Sequence, residues 1–318
     1  MLKERVPLKV RQRIPRWAKS PVRRARDKLV HPIQNKLKYR QRLSDVPEIT
    51  LGEKNVLIVT VDCLRADHTT LLNYERNTTP FIGDLGLRFP NAVSASPWTY
   101  PSVVSILTGY YPHNHGGTFS TEPRHFREGY PNAIKENVYT LSELFGRAGY
   151  STYLSTTIYP AQLPLNGRFS KLKMWDYRTP ADELISSLLR WWRSHSDKKF
   201  AYLHLGDLHE PLRLPELDQY PFGRIADISG LDGWRFTNTT EPTAKFQKYR
   251  EEKIRLYDTL IHYLDGQIKR LFRGLEREGD IDDTLLIITG DHGEEFGRHN
   301  PFHHASPLSP MTQLPIIV

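Results

Sequence analysis

The sequence predicts an α/β layered fold with a largely parallel sheet flanked by helices on both faces. Strand patterns alternate with helical ones through most of the chain, the order that builds parallel sheets. Two of the strand segments, residues 55–62 and 284–290, are nearly unbroken apolar runs of the buried type. One helical segment, residues 243–278, carries Ile254, Tyr257, Ile261, Leu264, Ile268, Leu271 and Leu275 at three- and four-residue steps, a single buried stripe.

In chain order, residues 55–62 make the first strand. Thr79-Pro80-Phe-Ile-Gly-Asp-Leu85 reads as a short helix with Thr79 as N-cap and Pro80 at the first helical position. Residues 88–94 are a strand, and residues 102–107 a helix stopped by Gly109. Thr140-Leu-Ser-Glu143 is a capping box whose helix ends near Gly149. Residues 151–157 and 199–205 are strands. The Pro-, Gly- and Asp-rich stretch 210–242 is expected to be a long loop over the strand ends, and Leu314-Pro-Ile-Ile-Val318 a core strand.

Composition bounds the rest. With 318 residues, 38% hydrophobic and 25% charged, the chain holds one large or two modest globular domains. The single cysteine, Cys63, excludes an intrachain disulfide framework and fits a reducing compartment, so a cytoplasmic location is expected. No apolar run is long enough for a transmembrane helix, and the N-terminus lacks the apolar core of a secretory signal.

Charge is uneven. Residues 1–43 carry fifteen Lys/Arg against Glu4 and Asp27, a net +13, so the remainder carries −5 of the total +8. The chain therefore reads as a basic N-terminal arm, 1–43, and a mildly acidic body, 54–318. Pro7, Pro15, Pro21 and Pro32 are expected to break any long helix in the arm, which should pack little against the body. The arm reads either as amphipathic pieces on an anionic membrane surface, at the inner face, or as a solvated, partly disordered segment. Nucleic acid is the less favoured partner.

The chemistry lies at strand ends. The first strand stops on Asp62 and the strand 284–290 on Asp291-His292. Ligands of open α/β sheets sit beyond the carboxyl ends of strands, so these side chains are expected to meet in one metal site. Between them, Ser96-Pro-Trp-Thr99-Tyr-Pro101-Ser102 presents a hydroxyl at a helix entrance, where free N–H groups attract an anion. Thr99 there is either a helix N-cap or a nucleophile toward an anionic ester.

Eight segments together resemble a family. They are Asn55-Val-Leu-Ile-Val-Thr-Val-Asp-Cys-Leu-Arg-Ala-Asp67, Thr79-Pro80, Phe89-Pro-Asn-Ala92, Thr99-Tyr-Pro-Ser102, Ser105-Ile-Leu-Thr-Gly-Tyr-Tyr-Pro-His113, Asp207-Leu-His209-Glu-Pro211, Gly290-Asp-His-Gly-Glu-Glu-Phe-Gly297 and Leu314-Pro-Ile-Ile-Val318. In this order they look like the sulfatase family of the alkaline-phosphatase superfamily over about residues 54–318. The resemblance implies an alkaline-phosphatase-like core that hydrolyses or transfers sulfate or phosphate esters at one divalent metal ion, Mn, Zn or Ca. It also implies a smaller C-terminal sheet and helix beyond residue 318, which this sequence, read either as a fragment or as a minimal version, is expected to lack. The family's nucleophile motif is Cys/Ser-x-Pro-x-Arg, its first residue oxidised to formylglycine. Here the motif is Thr99-Tyr-Pro101-Ser102-Val103, and oxidising Thr99 would give a ketone, so the resemblance is to a branch in which Thr itself attacks.

By the same resemblance Asp62, Asp291, His292 and Thr99 hold the metal, and His209 touches the transferred group. His304 protonates the leaving group, with His303 an equally reachable neighbour. Cys63 stands where relatives carry a second Asp or a Thr, and is either a soft-metal ligand or a small buried apolar group. Asp207 is a candidate second-metal ligand, although its two-residue spacing to His209 favours a single metal. Arg65 and Asp67 brace the first loop. The implied function is a metal-dependent hydrolase or transferase of anionic esters; the alternative is a non-catalytic binding protein of the same family.

Overall fold

The computed structural model describes residues 21–118, 131–213, 220–225, 244–296 and 312–318. Its strands are β1 (Asn55–Val61), β2 (Arg88–Val93), β3 (Ser151–Thr156), β4 (Lys171–Met174), β5 (Lys199–Leu205), β6 (Thr284–Gly290) and β7 (Gln313–Ile317). They form one sheet in the order β2-β7-β6-β1-β5-β3-β4. The pairs β1–β5, β1–β6, β3–β5 and β3–β4 are parallel, whereas β7 runs antiparallel to both β6 and β2. The mixed α/β architecture with helices on both faces is the one expected.

The helices are α1 (Pro21–Asp45), α2 (Thr99–Thr108), α3 (Pro112–His115), α4 (Leu141–Arg147), α5 (Tyr159–Gln162), α6 (Ala181–Arg193) and α7 (Ala244–Glu278). Strand pleating sorts the core into two layers. Leu57, Val59 and Val61 of β1 pack with Leu184, Leu188 and Trp192 of α6 and with Tyr257, Leu260 and Leu264 of α7. The alternate residues Val56 and Ile58 pack against Val103 and Leu107 of α2. Between residues 158 and 198 the structure adds β4 and α6 to the elements expected from the sequence. Ile185, Leu188 and Trp192 of α6 are at most 1% exposed, and each contributes about 1.5–3 kcal/mol of burial.

Two expectations are corrected. Residues 21–45 form one 25-residue helix with Pro32 inside it, although a proline in a helix interior costs about 3 kcal/mol. Contacts of its second half supply the compensation. Tyr39 is buried, and its hydroxyl accepts from Thr152 Oγ1 at 3.1 Å. Asn35 donates to the Phe169 carbonyl at 3.0 Å and accepts from the Gly167 N–H at 2.6 Å. Arg42 pairs with the buried Glu143. The body is shaped for this helix, since a Cβ on Gly146 would overlap the Tyr39 hydroxyl and one on Gly167 would come within 2.8 Å of Lys38 Cβ. Residues 33–43 therefore pack against the body and do not stand clear of it.

The second correction concerns residues 79–85. There the helical part is only a 3₁₀ turn, Ile82–Asp84, and its N-cap position, Phe81, makes no side-chain cap bond. Thr79 Oγ1 instead accepts the Thr70 N–H at 3.1 Å. The capping is done from α7: Asp265 Oδ1 accepts the Ile82 N–H at 2.7 Å and Asp265 Oδ2 the Phe81 N–H at 3.0 Å. The capping box at Thr140 and Glu143 and the αL stop at Gly109 have the expected form. Most of the expected loop 210–242 lies outside the described residues.

Candidate functional site

The site grows from the central strands. β1 and β6 are adjacent and in register, Val61 opposite Gly290, so the residues that follow, Asp62 and Asp291, emerge side by side at the carboxyl edge. Pairing continues one step past β1, where the Asp62 N–H donates to the Leu205 carbonyl at 2.9 Å. Gly290 suits this crossing, because a Cβ there would lie 2.9 Å from the Leu64 carbonyl oxygen.

Five donor atoms are linked by a series of close approaches. Asp62 Oδ2 accepts from Thr99 Oγ1 at 3.3 Å and lies 2.9 Å from His204 Nε2. Thr99 Oγ1 is 3.2 Å from His292 Nε2. Asp291 Oδ2 is 3.5 Å from His292 Nε2 and 3.9 Å from His204 Nε2. Asp62, His204, Asp291 and His292 are fully buried and Thr99 is 3% exposed.

Thr99 is the first residue of α2, one step inside the helix; the N-cap is Trp98 and makes no side-chain cap bond. The Thr99 hydroxyl is thus spent on the acid–imidazole cluster and not on capping. Asp291 Oδ1 accepts the backbone N–H groups of Cys63 at 3.2 Å and His292 at 2.9 Å. Its other oxygen, Oδ2, is buried with no hydrogen-bond partner. Burial opposes ionisation of Asp62, but the hydrogen bond from His204 and the charges of His209, His292 and His204 outweigh it and hold the carboxyl well below its usual range. Burial and the neighbouring Asp62 charge push Asp291 up. Two adjacent buried carboxylates, one with a bare oxygen, with imidazoles and a hydroxyl are a donor set that fits a divalent cation. Two three-residue groups with metal-ligand spacing occur among the described residues, Asp62-Cys63-His292 and Asp62-His204-Asp291.

Around this cluster the other candidates separate. Cys63 sits in the αL conformation, φ 61°. Its buried thiol, pushed up by burial and by Asp62, donates to Asp62 Oδ1 at 3.0 Å. Its Sγ is 3.9 Å from His292 Nδ1, the nitrogen committed to the Gly293 carbonyl at 2.8 Å. The turn after Cys63 is clamped by α7: the Tyr257 hydroxyl donates to the Cys63 carbonyl at 2.6 Å and accepts the Arg65 N–H at 2.9 Å. The Arg65 side chain holds Asp67 at 2.6 and 2.8 Å and the Glu294 carbonyl at 2.7 Å, which ties this turn to the one after β6.

His209 lies in the turn after β5, 2.6 Å from the Tyr177 hydroxyl through Nδ1. A cavity of about 180 Å³ opens beside it, lined by Tyr177, Arg178, Gly206, Asp207, His209 and Arg213 among others. Asp207 is not brought into either metal-competent group; it accepts the Ala181 N–H at 3.1 Å at the start of α6, and burial pushes it up to about 7. His303 and His304 lie outside the described residues.

Sequence reasoning missed His204 and Tyr257. The signal for His204 was an imidazole in an otherwise apolar strand, on the same pleat face as Phe200 and Tyr202. Tyr257 was read only as a member of the apolar stripe.

Residues 54–318 match the sulfatase family model. The chain is similar to an ulvan-active sulfatase of Formosa agariphila, 25% identical over 267 residues, which covers 73% of this chain and 42% of that protein. The chain thus spans less than half the length of that relative. In fold it is similar to the phosphonate monoester hydrolase of Agrobacterium radiobacter, with a TM-score of 0.62 and 18% identity, covering 83% of this chain and 67% of that one. It is also similar to the C-terminal periplasmic domain of phosphoethanolamine transferase EptC from Campylobacter jejuni, with a TM-score of 0.59 and 18% identity, covering 84% and 79%. Among the described residues no helix is long and apolar enough to cross a membrane.

Proposed function

This chain belongs to the sulfatase family, and on that premise we propose that it is a metal-dependent hydrolase or transferase of sulfate or phosphate esters with Thr99 as nucleophile. The observation that carries the reading is the Thr99 hydroxyl, in the first turn of α2, 3.3 Å from Asp62 and 3.2 Å from His292 beside the bare Asp291 oxygen. Asp62, Asp291, His292 and Thr99 would hold one divalent ion, Mn, Zn or Ca. When bound, such an ion supplies charge neutralisation and activation of an oxygen nucleophile.

The protein's own groups do the rest. The α2 N-terminus directs N–H groups toward an anionic ester. Thr99 Oγ1, its proton given up to solvent, would form a bond to phosphorus or sulfur as the bond to the leaving oxygen breaks. His209 contacts the anionic group, with Arg178 and Arg213 lining the adjoining cavity. His304 or His303 gives the departing alcohol its proton. Water then regenerates Thr99 in a hydrolase, and an acceptor alcohol does so in a transferase.

The test is metal analysis of the purified protein with phosphodiester, phosphonate monoester and aryl-sulfate assays on Thr99→Ala and Thr99→Ser. Loss of the nucleophile should lower kcat by several orders of magnitude, each tenfold being ~1.4 kcal/mol of barrier, while metal content stays. Thr99→Ser should retain turnover. Wild-type rates in Thr99→Ala would refute the mechanism, and no turnover of any ester by the parent would favour the non-catalytic binding protein.

For the arm we propose contact with an anionic membrane surface at its cytoplasmic face. Ile33 and Leu37 on α1 are 62% and 59% exposed, one turn apart, beside Lys36 and Arg40. Lys36→Glu with Arg40→Glu should weaken binding to phosphatidylglycerol vesicles, more so at low salt. Unchanged vesicle binding removes this reading.

A further inference from the structure

We propose that the cavity beside His209 binds a second anionic group, a carboxylate, sulfate or phosphate carried on the alcohol portion of the ester, through Arg178 and Arg213. This rests on the reading of the site as an ester hydrolase or transferase. It names the substrate class, an ester whose alcohol is itself acidic. Three observations support it.

First, the cavity, about 180 Å³, adjoins the candidate site. His209 belongs to both: it lines the cavity, and its charge reaches the buried Asp62 carboxyl. Tyr177 is a second link. It lines the same cavity, and burial followed by the charge of Asp62 pushes its phenol up.

Second, the positive charge of the cavity is poorly compensated. Its lining holds two cations, Arg178 and Arg213, and one acid, Asp207. Both arginines are exposed, and among the described residues neither guanidinium has an ion pair or a hydrogen bond. Asp207 accepts the Ala181 N–H at 3.1 Å, and burial pushes it up to about 7, so it is only partly ionised near neutrality. The nearby acids are engaged elsewhere. Asp176 accepts the backbone N–H of Arg178 at 3.1 Å, and Glu210 pairs with Lys253 of α7.

Third, the wall is fixed in place. The Tyr177 hydroxyl lies 2.6 Å from His209 Nδ1 and donates toward the backbone carbonyls of His209 and Glu210, and the two rings meet edge-on at 5.6 Å. The segment before α6 and the turn after β5 are thereby joined, and each brings one arginine to the same cavity. A guanidinium presents forked N–H donors that match the oxygens of carboxylate, phosphate or sulfate. Two such groups without partners beside the reacting centre favour an acidic alcohol over a neutral one.

The test compares a nitrophenyl sulfate and a methyl nitrophenyl phosphate with their ring-carboxylated counterparts, using the full chain with its metal. The measure is the ratio of kcat/KM, carboxylated over plain, in the parent and in the Arg178→Gln/Arg213→Gln double variant. Dividing one ratio by the other cancels differences in leaving-group reactivity. The parent's ratio is expected to be at least ~10-fold larger, the weight of one charge-assisted hydrogen bond. That margin should shrink as salt rises, because both arginines are exposed. If the double variant loses all turnover, the single variants supply the same ratio. Equal ratios in parent and variants overturn the inference and leave the ester-hydrolase reading standing. A parent that turns over none of these esters overturns both.

Discussion

Replacing Tyr257 by Phe removes one oxygen atom from the middle of α7 and should be felt at the proposed metal site. The Tyr257 ring is fully buried, and Phe keeps its packing. What is lost is the clamp on the turn after β1, the 2.6 Å bond to the Cys63 carbonyl and the 2.9 Å bond from the Arg65 N–H. Both buried backbone groups lose that partner. An unsatisfied buried polar group costs about 1–3 kcal/mol, and a carbonyl with a second lone pair is the less demanding of the two. The expected destabilisation is about 2–4 kcal/mol, a large share of the 5–15 kcal/mol typical of domains. The clamp also helps hold Cys63 in its αL conformation, φ 61°, which a non-glycine residue adopts only under constraint. Relaxation there would move Asp62, so Zn²⁺ affinity should fall about 10–100-fold, as for loss of other outer partners. The measurement is urea unfolding of the metal-free protein, read as a midpoint shift at constant m-value, with chelator competition for affinity. Tyr263→Phe is the control, because its hydroxyl makes a long, 3.4 Å contact with the Asp182 side chain, away from the turn after β1. If Tyr257→Phe unfolds within about 0.5 kcal/mol of the parent, the size of an ordinary surface change, and binds Zn²⁺ equally well, the clamp does not position the site.

Further outcomes follow from the same contacts. Asp291→Asn should abolish tight metal binding yet leave the metal-free protein at least as stable, since it removes a buried charge with a bare oxygen; thermal melts with and without chelator check both. Gly146→Ala should push Tyr39 out of its seat and undock residues 33–45, at an overpacking cost of about 1–3 kcal/mol, visible as faster tryptic cleavage at Lys36, Lys38 and Arg40; an unchanged cleavage rate counts against the docking argument. His115 is buried, accepts the Gly117 N–H through Nδ1 at 2.9 Å, and is lowered from 6.5 to about 4 by burial. The unfolded chain therefore binds a proton that the folded chain refuses between those values, and stability should drop as pH falls from about 6.5 to about 4. His115→Asn should lack that part of the slope, and identical pH profiles would show that His115 takes up its proton without cost.

The amino-acid sequence alone carries the layered α/β class, the first strand as 55–62, one residue longer than β1, the strands 199–205 and 284–290, the stripe of α7, and the placement of Asp62 and Asp291-His292 at strand ends. Each of these depends on local information, the period of apolar residues and the residue on which a strand stops. Tertiary structure alone decided the rest. The order of strands made β1 and β6 neighbours and thereby set Asp62 beside Asp291. His204 entered the site through an atom 142 residues away in sequence, and Tyr257 through one 194 residues away. In the same way Asp265, not Thr79, caps the turn at Ile82, and α1 continues through Pro32 because Asn35, Tyr39 and Arg42 find partners between residues 142 and 169. Hydrogen-bond partners and packing surfaces of this kind are set by how distant segments are stacked, and their energies, a few kcal/mol each, are large enough to override local preferences of about the same size.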